Sequence, residues 1–137
     1  MNDKKQIESD IIKLFREKFP GFPKGLLKPS ESPDFILSIT PRRKIGIELT
    51  GLHKYFPDTD LLSYENIKAC LEAKNEKLHL YRKRNLNEYW LIISVNDPHS
   101  WNRINIHNKL IIWVFETGFN RIFLFNTREG KVLELNH

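Results

Sequence analysis

The stretch DFILSITPRRKIGIELTG, residues 34–51, decides the fold because it contains two strand-like runs separated by a turn signal. Residues 34–39 and 44–50 are rich in the β-branched and aromatic side chains that favour strands. Between them, Pro41 suits the second position of a tight turn, since its fixed φ matches that position. The stretch therefore predicts an antiparallel β-hairpin.

Helical and strand-like patterns alternate on both sides of this hairpin. Before it, apolar residues at helical spacing predict a helix over residues 3–19. Residues 20–33 contain several prolines and glycines, which predicts a loop with at most a short strand near residues 25–28. After the hairpin, Asp60 or Ser63 could cap a long second helix that runs to about residue 84.

The last third of the chain supplies the remaining predicted elements. The run EYWLIISV, residues 88–95, is apolar throughout, which predicts a strand in the middle of the sheet. Residues 105–119 have the length and apolar periodicity of a third helix. Residues 121–126 and 131–135 predict a final pair of short strands. The expected order is α, β-hairpin, α, β, α, β, β, in a single domain that covers residues 1–137.

Length and composition restrict the class of protein. The chain has 137 residues, of which 40% are hydrophobic, and this is enough for one core. The longest apolar run, LIIWVF at residues 110–115, is far shorter than the roughly 20 residues that cross a bilayer. The polar N-terminus has no signal-like apolar segment, and a single cysteine, Cys70, rules out a disulfide framework. We therefore expect a cytoplasmic protein with no membrane association.

The balance of charge favours an anionic partner. Basic residues outnumber acidic ones by 22 to 17, and the net charge of +5 is in the direction expected of a nucleic-acid-binding protein. Two basic clusters lie at the predicted hairpin tip and at the predicted end of the second helix: Arg42, Arg43, Lys44, Arg82, Lys83 and Arg84. Such clusters contact phosphates without reading sequence. A solvated turn and cations at a helix C-terminus would explain them as well.

Two carboxylates lie on the predicted hairpin. Asp34 opens the first strand and Glu48 lies near the end of the second, so antiparallel pairing brings them close together. Gly46 and Thr50 share the face of Glu48, and their small side chains would leave room for a ligand there. Adjacent carboxylates repel unless a cation lies between them, and their oxygens suit Mg²⁺ or Mn²⁺. Solvated acids at strand ends are the alternative interpretation.

The second predicted helix places a charged residue on its apolar side. An apolar stripe runs along this helix: Ile67, Leu71, Leu78 and Tyr81. Lys74 falls in the middle of the stripe, where a lysine is costly unless its ammonium meets carboxylates or a phosphate. Lys77 lies on the flank and could do the same, or extend its head into water. On the first helix, Glu8 falls within the inward-facing arc and is a third candidate acid.

These elements resemble the PD-(D/E)XK nuclease superfamily over roughly residues 8–95. The segments that carry the resemblance are SPDFIL, KIGIELTG, KACLEAKNEKLHLY and EYWLIISV. Pro33 and Asp34 match the first motif element, and Glu48 matches the acid of the second. Thr50 stands where the family's lysine is expected. Some members of the superfamily supply the lysine from the following helix, where Lys74 lies, with Lys77 in reserve.

The resemblance implies a fold and a reaction. The fold is α/β (α+β) with a restriction-endonuclease-like αβββαβ core, a central mixed sheet flanked by helices, an added C-terminal helix and two short strands. The reaction is hydrolysis of a nucleic-acid phosphodiester, with Mg²⁺ or Mn²⁺ held by Asp34, Glu48 and the backbone carbonyl of Leu49. Lys74 would orient the nucleophile, and Glu8 would help to position the metal or a water. The partner would be a nucleic acid, DNA in preference to RNA, and a homodimer is compatible with this role.

Two other interpretations stay open at this point. A module that keeps the nuclease fold but has lost hydrolysis would bind nucleic acid or protein, and Thr50 in place of lysine favours it. A structural interaction domain would instead use the acids and the lysine as a buried ion-pair cluster.

Overall fold

The computed structural model describes residues 3–52, 63–96 and 113–137. In chain order, its elements are α1 (Asp3–Lys18), β1 (Leu26–Pro29), β2 (Phe35–Thr40), β3 (Arg43–Gly51), α2 (Tyr64–Asn75), α3 (Leu78–Arg82), β4 (Glu88–Val95), β5 (Arg121–Asn126) and β6 (Lys131–Glu134). Within these ranges, no helix is long and apolar enough to cross a membrane.

Six strands form one mixed sheet in the order β1-β2-β3-β4-β5-β6. The outer pairs β1–β2, β2–β3 and β5–β6 are antiparallel, whereas β3–β4 and β4–β5 are parallel. The predicted hairpin is confirmed as β2–β3, and the predicted central strand is confirmed as β4. The sheet is flanked by helices, so the mixed α/β class expected from the sequence is also confirmed.

One face of the sheet packs against α1. Its core consists of alternate residues of the strands together with the inward side of the helix: Ile12, Phe15, Phe35, Leu37, Ile45, Ile47, Leu49, Trp90, Ile92, Phe123 and Phe125. Phe15 lies at the centre, with its ring centroid 5.2 Å from that of Phe123 and 5.4 Å from that of Phe125. The burial of these side chains accounts for the apolar residues at helical spacing in residues 3–19, from which the helix is predicted.

The opposite face packs against α2 and α3. Its core includes Ile67, Leu71, Leu78, Tyr81, Leu91, Ile93, Ile122 and Leu124. The Ser63 hydroxyl caps α2 by accepting a hydrogen bond from the backbone N–H of Asn66 at 3.1 Å, as one of the two predicted caps requires. The other predicted cap, Asp60, lies outside the described residues.

The prediction of one continuous second helix is wrong. The helix is interrupted at Glu76 and Lys77, which separate α2 from α3. A long-range contact accompanies the break: the side-chain oxygen of Asn75, the last residue of α2, accepts a hydrogen bond from the Thr117 hydroxyl at 2.8 Å. Sequence periodicity does not reveal such a contact.

The prediction of a third helix is wrong over residues 113–119, and the rest of it lies outside the described residues. Val114 forms an isolated bridge with Asn136, and the Phe115 N–H donates to the Asn136 carbonyl at 3.0 Å. Phe115 is buried and its ring stacks on that of Tyr64 at 5.0 Å. The apolar residues that suggested a helix therefore belong to a chain that enters the core without forming one.

Candidate active site

Asp34 and Glu48 lie together where the β2–β3 ladder ends. The pairing of Phe35 with Ile47 places these two acids opposite each other. The Asp34 N–H donates to Glu48 Oε1 at 3.1 Å, and the Leu49 N–H donates to Asp34 Oδ2 at 2.9 Å. Each carboxylate thus accepts a backbone hydrogen bond from the opposite segment, and both side chains are buried.

Lys74 reaches Glu48 from the other side. Its ammonium donates to Glu48 Oε2 at 2.8 Å, and the residue is only 9% exposed. The inward placement that the helical wheel predicted is therefore observed. The ammonium forms a buried ion pair with one of the two acids, in the geometry of a charge-assisted hydrogen bond.

Tyr81 completes the group around Glu48. Its hydroxyl donates to the same Oε2 atom at 2.8 Å. We predicted Tyr81 only as part of an apolar stripe, so its polar contact was missed. The signal was available in the sequence, because a buried tyrosine needs a hydrogen-bond partner that a phenylalanine would not.

The two donors to Glu48 come from either side of the break between α2 and α3. On a straight helix, residues seven positions apart share a face but are separated by about 10.5 Å along the axis. Lys74 and Tyr81 nevertheless donate to one oxygen atom. Between them, Glu76 and Lys77 keep right-handed helical backbone angles, and the Lys77 N–H donates to the carbonyl of Lys74, three residues back, so the chain forms a tighter turn at the junction.

The carboxyl group of Asp34 has an unusual affinity for a proton. Its burial, and next the negative charge of Glu48, raise the pKa of Asp34 to about 7. The charge of Glu8 acts in the same direction, whereas the hydrogen bond from the Leu49 N–H opposes the rise in pKa. Near neutral pH, this carboxyl group is therefore poised between its neutral and charged forms.

Glu8 lies near this group, on the inward side of α1, and is buried as its wheel position predicted. Its Oε1 atom is 3.8 Å from the Lys5 ammonium and accepts no hydrogen bond from any residue in the described ranges. Together with Thr50 and Ser94, it lines a cavity of about 290 Å³ at the carboxyl ends of β3 and β4. In sheets with parallel strands, this edge is the usual location of ligand sites.

Other predicted site residues lie elsewhere. Lys77 is exposed at the junction of α2 and α3, as in the alternative in which its head extends into water. The space expected beside Gly46 is filled by protein: a Cβ atom built there would lie 2.7 Å from Pro33 and 2.8 Å from Leu86. The room predicted for a ligand beside Glu48 is therefore filled on the Gly46 side, whereas Thr50 lines the cavity described above.

The two predicted basic clusters are exposed. Arg42, Arg43 and Lys44 lie at the tip of the β2–β3 hairpin, and Arg82, Lys83 and Arg84 lie at the end of α3. Arg43 forms an ion pair with Glu88 at 2.9 Å, and Arg84 donates to the Ser30 hydroxyl at 2.9 Å. Arg43 thus pairs with a carboxylate of the protein, whereas Arg84 contacts a neutral hydroxyl.

The donor chemistry of the site fits a small, hard cation. Mg²⁺ typically takes one or two carboxylates and completes its shell with waters and substrate oxygens, so Asp34, Glu48 and the Leu49 carbonyl suffice in number and type. The pKa of Asp34 is raised first by burial and next by the negative charge of Glu48, and a cation beside the two carboxylates would offset the second of these causes. In the described part of the chain, no three His, Cys, Asp or Glu side chains are grouped as a metal site.

Comparison with known proteins gives no match: no family model, no curated protein and no solved structure matches this chain. The interpretation of the site therefore depends on its geometry and chemistry.

Proposed function

We propose that this protein is a Mg²⁺-dependent nuclease that hydrolyses phosphodiester bonds in nucleic acid, with DNA preferred over RNA. The observation that carries the proposal is the contact of Lys74 with Glu48 beside Asp34, inside the core. Burial of a helix lysine against acidic residues of the sheet costs desolvation free energy, so stability alone is a poor explanation for it. It is the arrangement that a nuclease with its lysine on the helix would require.

The order of elements supports the same proposal. The segment from α1 to β4 has the order α, β, β, β, α, β, apart from the short α3. This is the order of a restriction-endonuclease-like core; Asp34 lies immediately before β2, and Glu48 lies in the distal half of β3.

Each residue has a distinct role in the proposed reaction. Bound by Asp34, Glu48 and the Leu49 carbonyl, Mg²⁺ would polarise the scissile phosphate and lower the pKa of a bound water. The Lys74 ammonium would orient the nucleophile and offset the negative charge that develops on the phosphate. Tyr81 is a positioning residue, since it holds Glu48 Oε2 together with Lys74.

A second function is favoured by one specific observation. Both oxygens of Glu48 already accept hydrogen bonds from the protein: Oε1 from the Asp34 N–H, and Oε2 from Lys74 and Tyr81. A module with this fold that binds nucleic acid or protein without cleaving would keep such a self-contained cluster.

Cleavage assays separate the two functions. Plasmid and single-stranded substrates are incubated with Mg²⁺ or Mn²⁺ and with the wild type or the variants Asp34→Asn, Glu48→Gln and Lys74→Met. We expect each variant to lose at least about 100-fold in rate, the loss typical when a charge-stabilising group is removed. Lys68→Met is the matched control, because Lys68 is an exposed residue of the same helix.

Equal cleavage by the wild type and all three site variants would reject the nuclease proposal. If the wild type binds these substrates but shows no cleavage with either metal, the binding module is the better description.

A further inference from the structure

The two basic clusters, separate in sequence, meet at one surface. Arg42 and Lys44 of the hairpin tip and Arg84, which follows α3, line a shared cavity of about 260 Å³. Its remaining walls include Ile36 and Leu86. Among the described residues, no acidic side chain lines this cavity, so the three cations face a space that an anion would neutralise.

Arg84 also lines a second, larger cavity. This space, of about 730 Å³, lies between α1 and β1 and has Lys5 and Lys13 on its α1 side. Apolar side chains contribute much of its lining, among them Leu27 and Phe35.

Arg84 borders both cavities, which lie on opposite faces of the sheet: Phe35 of the larger one belongs to the α1-face core, whereas Leu86 of the smaller one packs against the α2–α3-face core. A chain that passes from one cavity to the other would therefore follow a path over the sheet edge at Arg84, with cations on both sides.

Ser30 ties this path to the candidate active site. Arg84 donates to the Ser30 hydroxyl at 2.9 Å, and the Lys5 ammonium donates to the Ser30 carbonyl at 2.8 Å. The Ser30 N–H in turn donates to the Asp34 carbonyl at 2.7 Å. An anion held by Arg84 would therefore lie beside the short segment that positions Asp34.

Basic residues outnumber acidic ones along the path. Of the residues that the structure describes, five basic ones line the two cavities: Lys5, Lys13, Arg42, Lys44 and Arg84. Lys5 pairs with Glu8, and Glu31 is the one acidic residue among the described lining residues. The neighbouring Arg43 contrasts with them, because its guanidinium is held by Glu88 on the adjacent strand.

We propose that this path is a groove for the phosphodiester backbone of a nucleic acid, which crosses the sheet edge with Arg84 as its central phosphate contact. Successive phosphates need cations at intervals along a path, and the apolar lining suits the sugars between them. This proposal identifies the surface that would bind the substrate of the proposed nuclease. It rests on the proposed function only for the cleavage that follows binding. It assigns backbone contact to Arg84, Arg42 and Lys44, and gives Arg43 a structural ion pair instead.

Binding without metal tests the groove separately from cleavage. Short labelled single-stranded and duplex DNA are titrated in EDTA at several salt concentrations, and the anisotropy gives the association constant. The variants are Arg84→Gln and Lys44→Gln. Arg128→Gln is the matched control, since it removes the same charge from the β5–β6 turn, across the sheet from β1. Arg84→Lys keeps the charge but changes the contact geometry.

We expect Arg84→Gln and Lys44→Gln each to weaken binding about threefold or more at moderate salt. Each should also reduce the slope of log K against log salt by about 0.7 to 0.9, the value for one lost phosphate contact. Arg128→Gln should match the wild type, and Arg84→Lys should recover most of the slope. The relative affinities for single strand and duplex then identify which form the groove accepts.

Several results would contradict the proposed groove. They are a wild-type protein that binds neither single-stranded nor duplex DNA, groove variants that keep the salt slope of the wild type, or a loss of affinity in Arg128→Gln as large as that of the groove variants. Inorganic phosphate that displaces DNA at concentrations near its own affinity would also overturn it, since that indicates a single-anion site. Since metal is absent, a protein that fails to cleave can still pass this test, and one that cleaves can still fail it.

Discussion

The two faces of the sheet are equally well buried but differently constructed. The α1 face is closed by aromatic and aliphatic side chains, with Phe15, Trp90 and Phe123 at its centre. The α2–α3 face carries a similar apolar core but contains the Glu48–Lys74 ion pair and the Tyr81 hydroxyl within it. The first face stabilises the fold through apolar packing. The second face buries charged groups near the candidate site, which costs desolvation free energy.

The cost on the second face follows from desolvation. Two charges removed from water regain their solvation energy only when geometry and additional hydrogen bonds are good. Here, Glu48 Oε2 has two donors at 2.8 Å. The cluster is therefore well satisfied in itself, but its neighbour Asp34 still carries a raised pKa. Substitutions on the two faces should differ in what they change.

The largest expected effect belongs to the α1 face. Phe15→Ala should lower the free energy of unfolding by about 3–5 kcal/mol, because it opens a cavity where four rings converge. Urea denaturation measures this loss. Ile7→Ala is the control on the same helix, and as Ile7 is exposed its effect should stay within about 0.5 kcal/mol. If Phe15→Ala loses no more free energy of unfolding than Ile7→Ala, the packing of the α1 face does not contribute the stability assigned to it.

The next effect belongs to the ion pair. Lys74→Met should cost about 3 kcal/mol, near the lower end for a broken buried pair, because Tyr81 still donates to Glu48. The double variant Glu48→Gln/Lys74→Met should regain more than half of this loss, since it removes the unpaired charge but keeps an acceptor. A double-mutant cycle from urea denaturation gives the coupling. Additive effects of the two substitutions would contradict the observed pair.

Asp34 should make stability depend on pH. Its pKa is raised in the native state, so between about pH 4 and pH 7 the folded protein holds more protons than the unfolded chain. The contribution of Asp34 to stability is therefore present at low pH and is lost as the pH rises through this window. Asp34→Asn keeps an acceptor for the Leu49 N–H and should be more stable than the wild type by about 2 kcal/mol near pH 8.

Unfolding curves across this pH range check the prediction for Asp34. Parallel stability profiles for the wild type and Asp34→Asn would mean that the pKa of Asp34 is not raised. The same pair of proteins also tests the metal: Mg²⁺ should raise the melting temperature of the wild type more than that of Asp34→Asn.

The smallest expected effect belongs to Tyr81. Tyr81→Phe removes one hydrogen bond to a charged acceptor and should cost about 1–2 kcal/mol of stability. If Tyr81 positions Glu48 for the reaction, the rate of cleavage should also fall and its pH profile should shift. Tyr64→Phe is the control, because within the described residues the Tyr64 hydroxyl makes one long contact, at 3.5 Å, with an exposed carbonyl. Equal effects of the two substitutions would remove Tyr81 from the site.

The sequence predicted those parts of the molecule that depend on local pattern. The hairpin, the central strand and the final strand pair follow from alternation and turn residues, and the inward position of Lys74 follows from helical spacing. The proximity of Asp34 and Glu48 follows from the hairpin's register. Each of these signals lies within one helix, one strand or one hairpin, and even Asp34 and Glu48 are only 14 positions apart.

The missed features depend on contacts between distant residues. Glu76 and Lys77 are compatible with a helix, and the interruption there goes with contacts of Asn75 and Tyr81 to residues more than thirty positions away. Residues 113–119 show apolar spacing, but Val114 and Phe115 pair with Asn136 near the C-terminus. Propensity and periodicity do not contain this information.

The reciprocal hydrogen bonds of Asp34 and Glu48 fasten the open end of the hairpin. Alanine at either position would leave a backbone N–H without its acceptor as well as remove a charge. Selection for folding alone would thus retain carboxylates or amides at both positions, whether or not the protein cleaves anything. In another chain, acids at these two positions would therefore indicate a hairpin whose end is held by side-chain hydrogen bonds. Only a lysine in contact with those acids would be evidence for catalysis.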